Sequence, residues 1–170
     1  TVIPSAGILT GFNTDVHGIV TSIAQARRAA GLEALRSALV LGAGATAASA
    51  LVALGTLGVE RPIVAARRFG GPGSILAAAG RLGIEIDSIM WSARDEVVRA
   101  AQEVDVVVST LPAGVGDELA EAVHPAAGAC LLDVVYSPRR TGLVAAFEDA
   151  GGVIADGLDM LIHQAALQVR

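Results

Sequence analysis

The chain has 170 residues, enough for one domain with a buried core, and a formal net charge of −5 at pH 7. Its 12 cations are all arginines and lie scattered, with Arg27-Arg28, Arg67-Arg68 and Arg139-Arg140 too short to be polybasic tracts, which argues against nucleic-acid binding. One cysteine, Cys130, excludes an internal disulfide framework, and no Cys/His cluster has metal-ligand spacing.

Taken in chain order, residues 1–11 read as a short extended pair turning at Ser5-Ala6-Gly7, because Pro and Gly punctuate alternating apolar residues. A helix begins near Asp15, carries Ile19, Ile23 and Ala26 on one side and stops at Gly31. A regular alternation follows. Strands are expected at 38–41, 62–66, 88–91, 105–109, 129–134 and 153–155. Helices are expected at about 44–57, 75–82, 96–102, 117–123, 141–150 and 158–169. The segment from Ser37 to Val59 is uncharged and mimics a membrane span in a hydropathy window, but four glycines divide it into strand, turn and helix. No basic leader with a cleavage pattern is seen, so a cytoplasmic protein with no membrane partner is expected.

From Ala38 onward the strands are continuous aliphatic runs, the pattern of burial on both faces of a parallel sheet. Strand–helix alternation at this spacing gives right-handed crossovers and a doubly wound α/β domain. Aromatics are only 3% of the chain, so Ala, Val, Leu and Ile must fill its core. Cys130, inside one of these runs, reads as a buried structural thiol.

Three segments carry chemistry. Gly42-x-Gly44-x-x-Ala47 lies between a strand and a helix, the context a dinucleotide turn requires. There Gly42 supplies the tight turn, Gly44 admits a pyrophosphate to the backbone, and Ala47 lets the helix approach the sheet. A packing turn without a ligand is the other reading. Near the end of the second strand of the sheet, where an NAD site usually places Asp or Glu, stand Ala66, Arg67 and Arg68. A guanidinium there suits a 2′-phosphate, which favours NADP over NAD, with solvated loop cations as the alternative. Ser109-Thr110-Leu111-Pro112-Ala113-Gly114 leaves another strand at its carboxyl end, where ligands of open α/β sheets lie, or is an ordinary strand exit.

Five segments then resemble the shikimate dehydrogenase family, in the family's order. Gly11-Phe12-Asn13-Thr14-Asp15, followed by Gly18, resembles its G-x-N-T-D-G-x-G segment, and Gly42-Ala43-Gly44-Ala45-Thr46 its G-A-G-G-A turn. Residues 109–114 resemble N-A-T-P-x-G at Pro112 and Gly114. Asp133, Tyr136, Pro138 and Thr141 fit D-x-x-Y-x-P-x-x-T, and residues 157–165 fit G-L-x-M-L-x-x-Q-A. The resemblance implies a Rossmann-like NADP-binding domain and the reversible NADPH-dependent reduction of 3-dehydroshikimate to shikimate, in aromatic amino-acid biosynthesis. By position, Asp15 corresponds to the catalytic aspartate, Asn13, Tyr136 and Gln164 to substrate ligands, and Gly42, Ala43, Gly44, Ala45 and Thr46 to the pyrophosphate turn. Arg67, flanked by Ala66 and Arg68 where the family has Asn and Thr, corresponds to a cofactor arginine, as Pro112 does to the cofactor loop. Val134 and Gly157 correspond to positions lining the nicotinamide.

Asp15 could otherwise cap a helix, Tyr136 fill a core and Gln164 lie on the surface; His17, His124 and His163 match no family role. The chain also departs from the family at Val16, Ala45, Ser109, Thr110 and Leu111. The family's N-terminal substrate domain supplies a serine pair and a lysine, and these 170 residues contain no lysine. Residues 1–34 are therefore expected to be the hairpin and linking helix of the junction with that domain, and 35–170 the NADP-binding domain. The apolar faces of residues 1–34 should be exposed, loosely ordered or paired in a homodimer, and the chain alone should not turn over shikimate. A quinate-type enzyme using NAD and a non-catalytic nucleotide-binding module are the alternatives.

Overall fold

The computed structural model describes residues 2–5, 7–32 and 34–169. Thr1 and Ala6 of the expected hairpin, and Glu33 of the expected domain junction, lie outside the described residues. The hairpin forms from β1 (Val2–Ser5) and β2 (Ile8–Gly11), paired antiparallel from Val2↔Gly11 to Ser5↔Ile8. Helix α1 (Asp15–Ala29) follows.

The alternating part then runs β3 (Ala38–Leu41), α2 (Ala45–Thr56), β4 (Ile63–Ala66), α3 (Ile75–Leu82), β5 (Asp87–Met90) and α4 (Arg94–Glu103). It continues with β6 (Val106–Ser109), α5 (Asp117–Ala122), β7 (Cys130–Asp133), α6 (Gly142–Asp149), β8 (Val153–Ala155) and α7 (Gly157–Ala166). Every element expected from the sequence is present, with ends shifted by at most three residues. The six strands pair in parallel in the order β5-β4-β3-β6-β7-β8. The order reverses between β3 and β6, which opens a crevice beyond their carboxyl ends.

Side-chain alternation divides the core into two layers. Val40, Val64, Val106, Val108 and Leu132 face one cluster with Ile19, Ala50, Leu54 and Met160, whereas Leu39, Leu41, Val107 and Leu131 face another with Val97, Leu119 and Phe147. Both faces of the sheet are covered, which is why its central strands carry no polar alternation. Ala47, Ala50 and Ala53 are fully buried, and their small size lets α2 lie close to the sheet. Cys130 is buried, and burial is the main cause that pushes its thiol up to about 11, as befits a structural residue.

The expectation of exposed apolar faces holds for the hairpin and fails for the helix. Ile8 and Leu9 are 67% and 73% exposed, but Ile19 and Ile23 of α1 are fully buried. Helix α1 packs between α2 and α7 and is part of the main core. Gly18 makes this possible, because a Cβ there would come within 2.6 Å of the Met160 carbonyl oxygen.

Candidate functional site

A cleft of about 560 Å³ lies at the reversal point and is lined by Gly42, Ala43, Gly44, Ala66, Arg67, Arg68 and Pro112, seven of the residues expected from sequence to hold a cofactor. Gly42 has φ +108°, and its N–H donates to the Ala65 carbonyl (2.9 Å). A Cβ at Gly42 would overlap the Thr110 hydroxyl, which donates to the Leu41 carbonyl (2.8 Å). Glycine is thus required there by both dihedral and space. Gly44 differs: its φ is −84°, and a Cβ would meet nothing within 4 Å. Its missing side chain leaves open the space in front of α2. That helix has no side-chain N-cap, so its first-turn N–H groups are available to an anion, and Ala45 and Thr46 supply that turn.

Arg67 and Arg68 are exposed, and neither has a hydrogen-bond or ion-pair partner among the described residues. They are the two arginines of the described lining, so two guanidiniums without an ion pair beside the open helix terminus are the main electrostatic feature of this cleft. Sequence reasoning missed other parts of this lining. Gly70 to Ser74, Trp91 and Val115 line the cleft as well, beside Thr110 of the segment 109–114. The Gly70-Gly71-Pro72-Gly73 run is a local loop signal, whereas only the position of β5 beside β4 brings Trp91 to the cleft.

The second group lies at the start of α1. The Asn13 amide donates to Ser49 Oγ on α2 (2.8 Å), and its oxygen accepts the Asp15 N–H (3.0 Å). Thr14 is buried between Gln164 (3.4 Å) and Gln168 (3.1 Å). The tertiary fold therefore joins Asn13-Thr14-Asp15 to Gln164, 150 residues away, and to the helix that follows the glycine turn. Asp15 sits in the first turn of α1, and its carboxylate has no partner among the described residues. Tyr136 is 55% exposed on the loop after β7 rather than in the core, and no hydrogen bond ties it to this group among the described residues. His163 pairs with Gln25 (3.1 Å) between α7 and α1, and His17 with Thr21 (3.5 Å), which leaves them structural.

Val134 and Gly157 lie outside the cleft but against each other. A Cβ on Gly157 would overlap the Asp133 carbonyl and come within 3.1 Å of the Val134 carbonyl carbon and the Val135 carbonyl oxygen. Glycine at the start of α7 thus lets the loop carrying Tyr136 pass. Asp133 anchors that loop: it is buried and accepts from Thr141 Oγ1 (2.7 Å) and the Val135 N–H (3.2 Å). Burial pushes its carboxyl above the ordinary carboxylate range, against the opposing hydrogen bonds from Thr141, Val135 and Ser109.

Among the described residues no group of His, Cys, Asp and Glu could hold a metal ion, and no helix is long and apolar enough to cross a membrane.

Strand order, the glycine turn at the reversal point and the open helix terminus define a Rossmann-type α/β domain. No protein-family model matches the chain. It is 35% identical over 170 residues to a shikimate dehydrogenase (NADP(+)) of Citrifermentans bemidjiense, covering 96% of this chain and 57% of that relative. The crystal structure of Mycobacterium tuberculosis shikimate dehydrogenase aligns with a TM-score of 0.83 and 32% identity, over 99% of this chain and 60% of that one. A quinate dehydrogenase from Corynebacterium glutamicum in complex with NAD aligns with a TM-score of 0.76 and 26% identity, over 96% of this chain and 58% of that one. The chain belongs to the shikimate dehydrogenase family and matches its C-terminal part. It spans about half the length of the curated relatives it matches.

Proposed function

We propose that this chain forms the NADP-binding part of a shikimate dehydrogenase, which with its substrate domain reduces 3-dehydroshikimate reversibly to shikimate. The observation that carries the cofactor half is the cleft: an uncapped helix terminus behind Gly44, with the unpaired Arg67 and Arg68 beside it. The open space at Gly44 fits a pyrophosphate, and the guanidiniums fit a 2′-phosphate. When bound, NADPH supplies the hydride.

The substrate half rests on the group around Asn13. Its amide, Tyr136 and Gln164 offer donors and acceptors to a polyhydroxylated ring acid. The unpartnered carboxylate of Asp15 orients the substrate or shares its proton. Reduction of a ketone also needs a proton delivered to the developing alkoxide. Arginine stays protonated at working pH and is a poor donor, and these 170 residues hold no lysine. The chain alone is therefore proposed to bind NADP(H) without turning over shikimate.

Calorimetric titration of the protein with NADPH and NADH, paired with a steady-state assay on shikimate and NADP+, tests this. The expected result is NADPH binding at least about tenfold tighter than NADH, with a gap that Arg67→Ser closes, and no turnover. Equal affinity for both nucleotides would remove the NADP assignment, and turnover comparable to an intact dehydrogenase would remove the proposed inactivity. A second reading, an NAD-using enzyme of the quinate or shikimate type, draws support from the likeness to the quinate dehydrogenase and from Ala66 and Arg68 flanking Arg67. It predicts NADH binding at least as tight as NADPH binding.

A further inference from the structure

We infer that Trp91 is the wall of the cleft against which the adenine ring of the dinucleotide stacks, a deepening of the cofactor reading above that rests on it. Covalent connectivity narrows the choice. The adenine is attached to the ribose that bears the 2′-phosphate, so if Arg67 takes that phosphate the base must lie next to Arg67. Trp91 is there. It follows β5, its backbone N–H donates to the Ala66 carbonyl (2.9 Å), and it lines the same cleft as Gly42, Gly44 and Arg67. The rest of the described lining is Gly, Ala, Pro, Ser, Thr, Arg and three aliphatic side chains, so Trp91 is its one aromatic ring, and Arg67 is already engaged if it takes the 2′-phosphate.

The ring is also held in place before any ligand arrives. Arg94 stands over it at 5.2 Å from the ring centroid and is itself ion-paired to Glu118 of α5. The half-buried indole packs against the second core cluster. A side chain fixed on one side by a cation–π contact and on another by the core loses little rotamer freedom on binding. Purely structural packing does not require the remaining surface to open into the cofactor cleft, and here it does.

Trp91 is the chain's single tryptophan, so its emission reports on this position alone. The test titrates the protein with adenosine 2′,5′-bisphosphate and, separately, with nicotinamide mononucleotide, following tryptophan fluorescence and calorimetry. The bisphosphate should change the emission saturably with the same midpoint as the heat, and the mononucleotide should leave it unchanged. Trp91→Ala should weaken bisphosphate binding about tenfold and Trp91→Phe should keep most of it, since stacking of a base on an aromatic ring accounts for a change of that order. Bisphosphate binding that saturates by calorimetry without altering the emission, or a folded Trp91→Ala protein with unchanged affinity, overturns the assignment and leaves the cofactor reading standing. Failure of the parent protein to bind bisphosphate and NADPH alike overturns the cofactor reading, and this one with it. Because the fluorescence readout uses the parent protein, the inference stays testable if Trp91→Ala does not fold.

Discussion

The two ends of strands β3 and β6 are built on opposite principles. At their amino ends Arg27, Asp105 and Ser37 are held in a closed set of hydrogen bonds. Arg27 is buried and donates to the carbonyls of Ala34 and Asp105, the latter at 3.2 Å. Asp105 Oδ2 accepts from the N–H groups of Arg36 (2.8 Å) and Ser37 (3.0 Å) and from Ser37 Oγ (3.2 Å), which in turn accepts the Asp105 N–H (3.0 Å). At their carboxyl ends, and at that of the neighbouring β4, several polar groups that line the cleft stand open. α2 has no side-chain cap, Arg67 and Arg68 have no partners among the described residues, and Gly44 keeps a space clear. Satisfied groups hold the fold together, whereas groups left unsatisfied beside a cleft are what a ligand can complete.

If that contrast is right, changes at the amino end should alter stability and leave binding alone, and changes at the carboxyl end should do the reverse. The largest effect is expected from Arg27→Met, which removes a buried cation from two carbonyls. Chemical denaturation should show a loss of about 3 kcal/mol or more, with NADPH affinity unchanged in the folded protein. A large loss of affinity without destabilisation would break the contrast outright.

Gly44→Asp should be the next largest. Its dihedrals suit any residue and its Cβ has room, so the melting temperature should hold. A carboxylate in the anion position should nevertheless weaken NADPH binding by about 100-fold, or about 2.7 kcal/mol. Arg67→Ser should cost NADPH affinity about 10-fold and leave NADH affinity and stability unchanged, because the lost contact is to the 2′-phosphate alone. An equal loss for both nucleotides would instead assign Arg67 to the pyrophosphate or the adenine.

The smallest effect should be pH-dependent. Burial pushes the Asp105 carboxyl up, but the N–H groups of Arg36 and Ser37, the Ser37 hydroxyl and the Arg27 charge outweigh it and hold it below its ordinary value. A carboxylate lowered in the folded state stabilises above its unfolded value, near pH 4, and loses that contribution as pH falls through the lowered one. Asp105→Asn should therefore cost about 1 kcal/mol at pH 7 and progressively less below about pH 4, measured by denaturation across pH. A cost that does not change with pH would show that the hydrogen bonds matter without the charge.

Much of the site was legible in the sequence because it follows from local rules. The Gly42 turn needs a particular dihedral, and the Arg67-Arg68 pair replaces the acid expected at the end of the second strand of the sheet. Trp91 was not legible. Nothing local distinguishes a tryptophan at the end of a strand from a core residue, and only the pairing of β5 with β4 carries it into the cleft. The place of α1 was misread for a related reason: its apolar stripe of Ile19 and Ile23 specifies burial but does not say against what.

The sequence by itself determined the alternation of strands and helices and the doubly wound sheet, since continuous aliphatic strands leave no exposed face. It also determined the glycine turn and the identity of the candidate ligands. Only the tertiary structure decided that Thr14 meets Gln164, that Asn13 is tied to Ser49 on the cofactor helix, and that Gly157 makes room for the loop of Tyr136. Those contacts span up to 150 residues of chain, and no periodicity encodes them. The first of them arises from helices α1 and α7 packing closely, which a single missing Cβ at Gly18 permits.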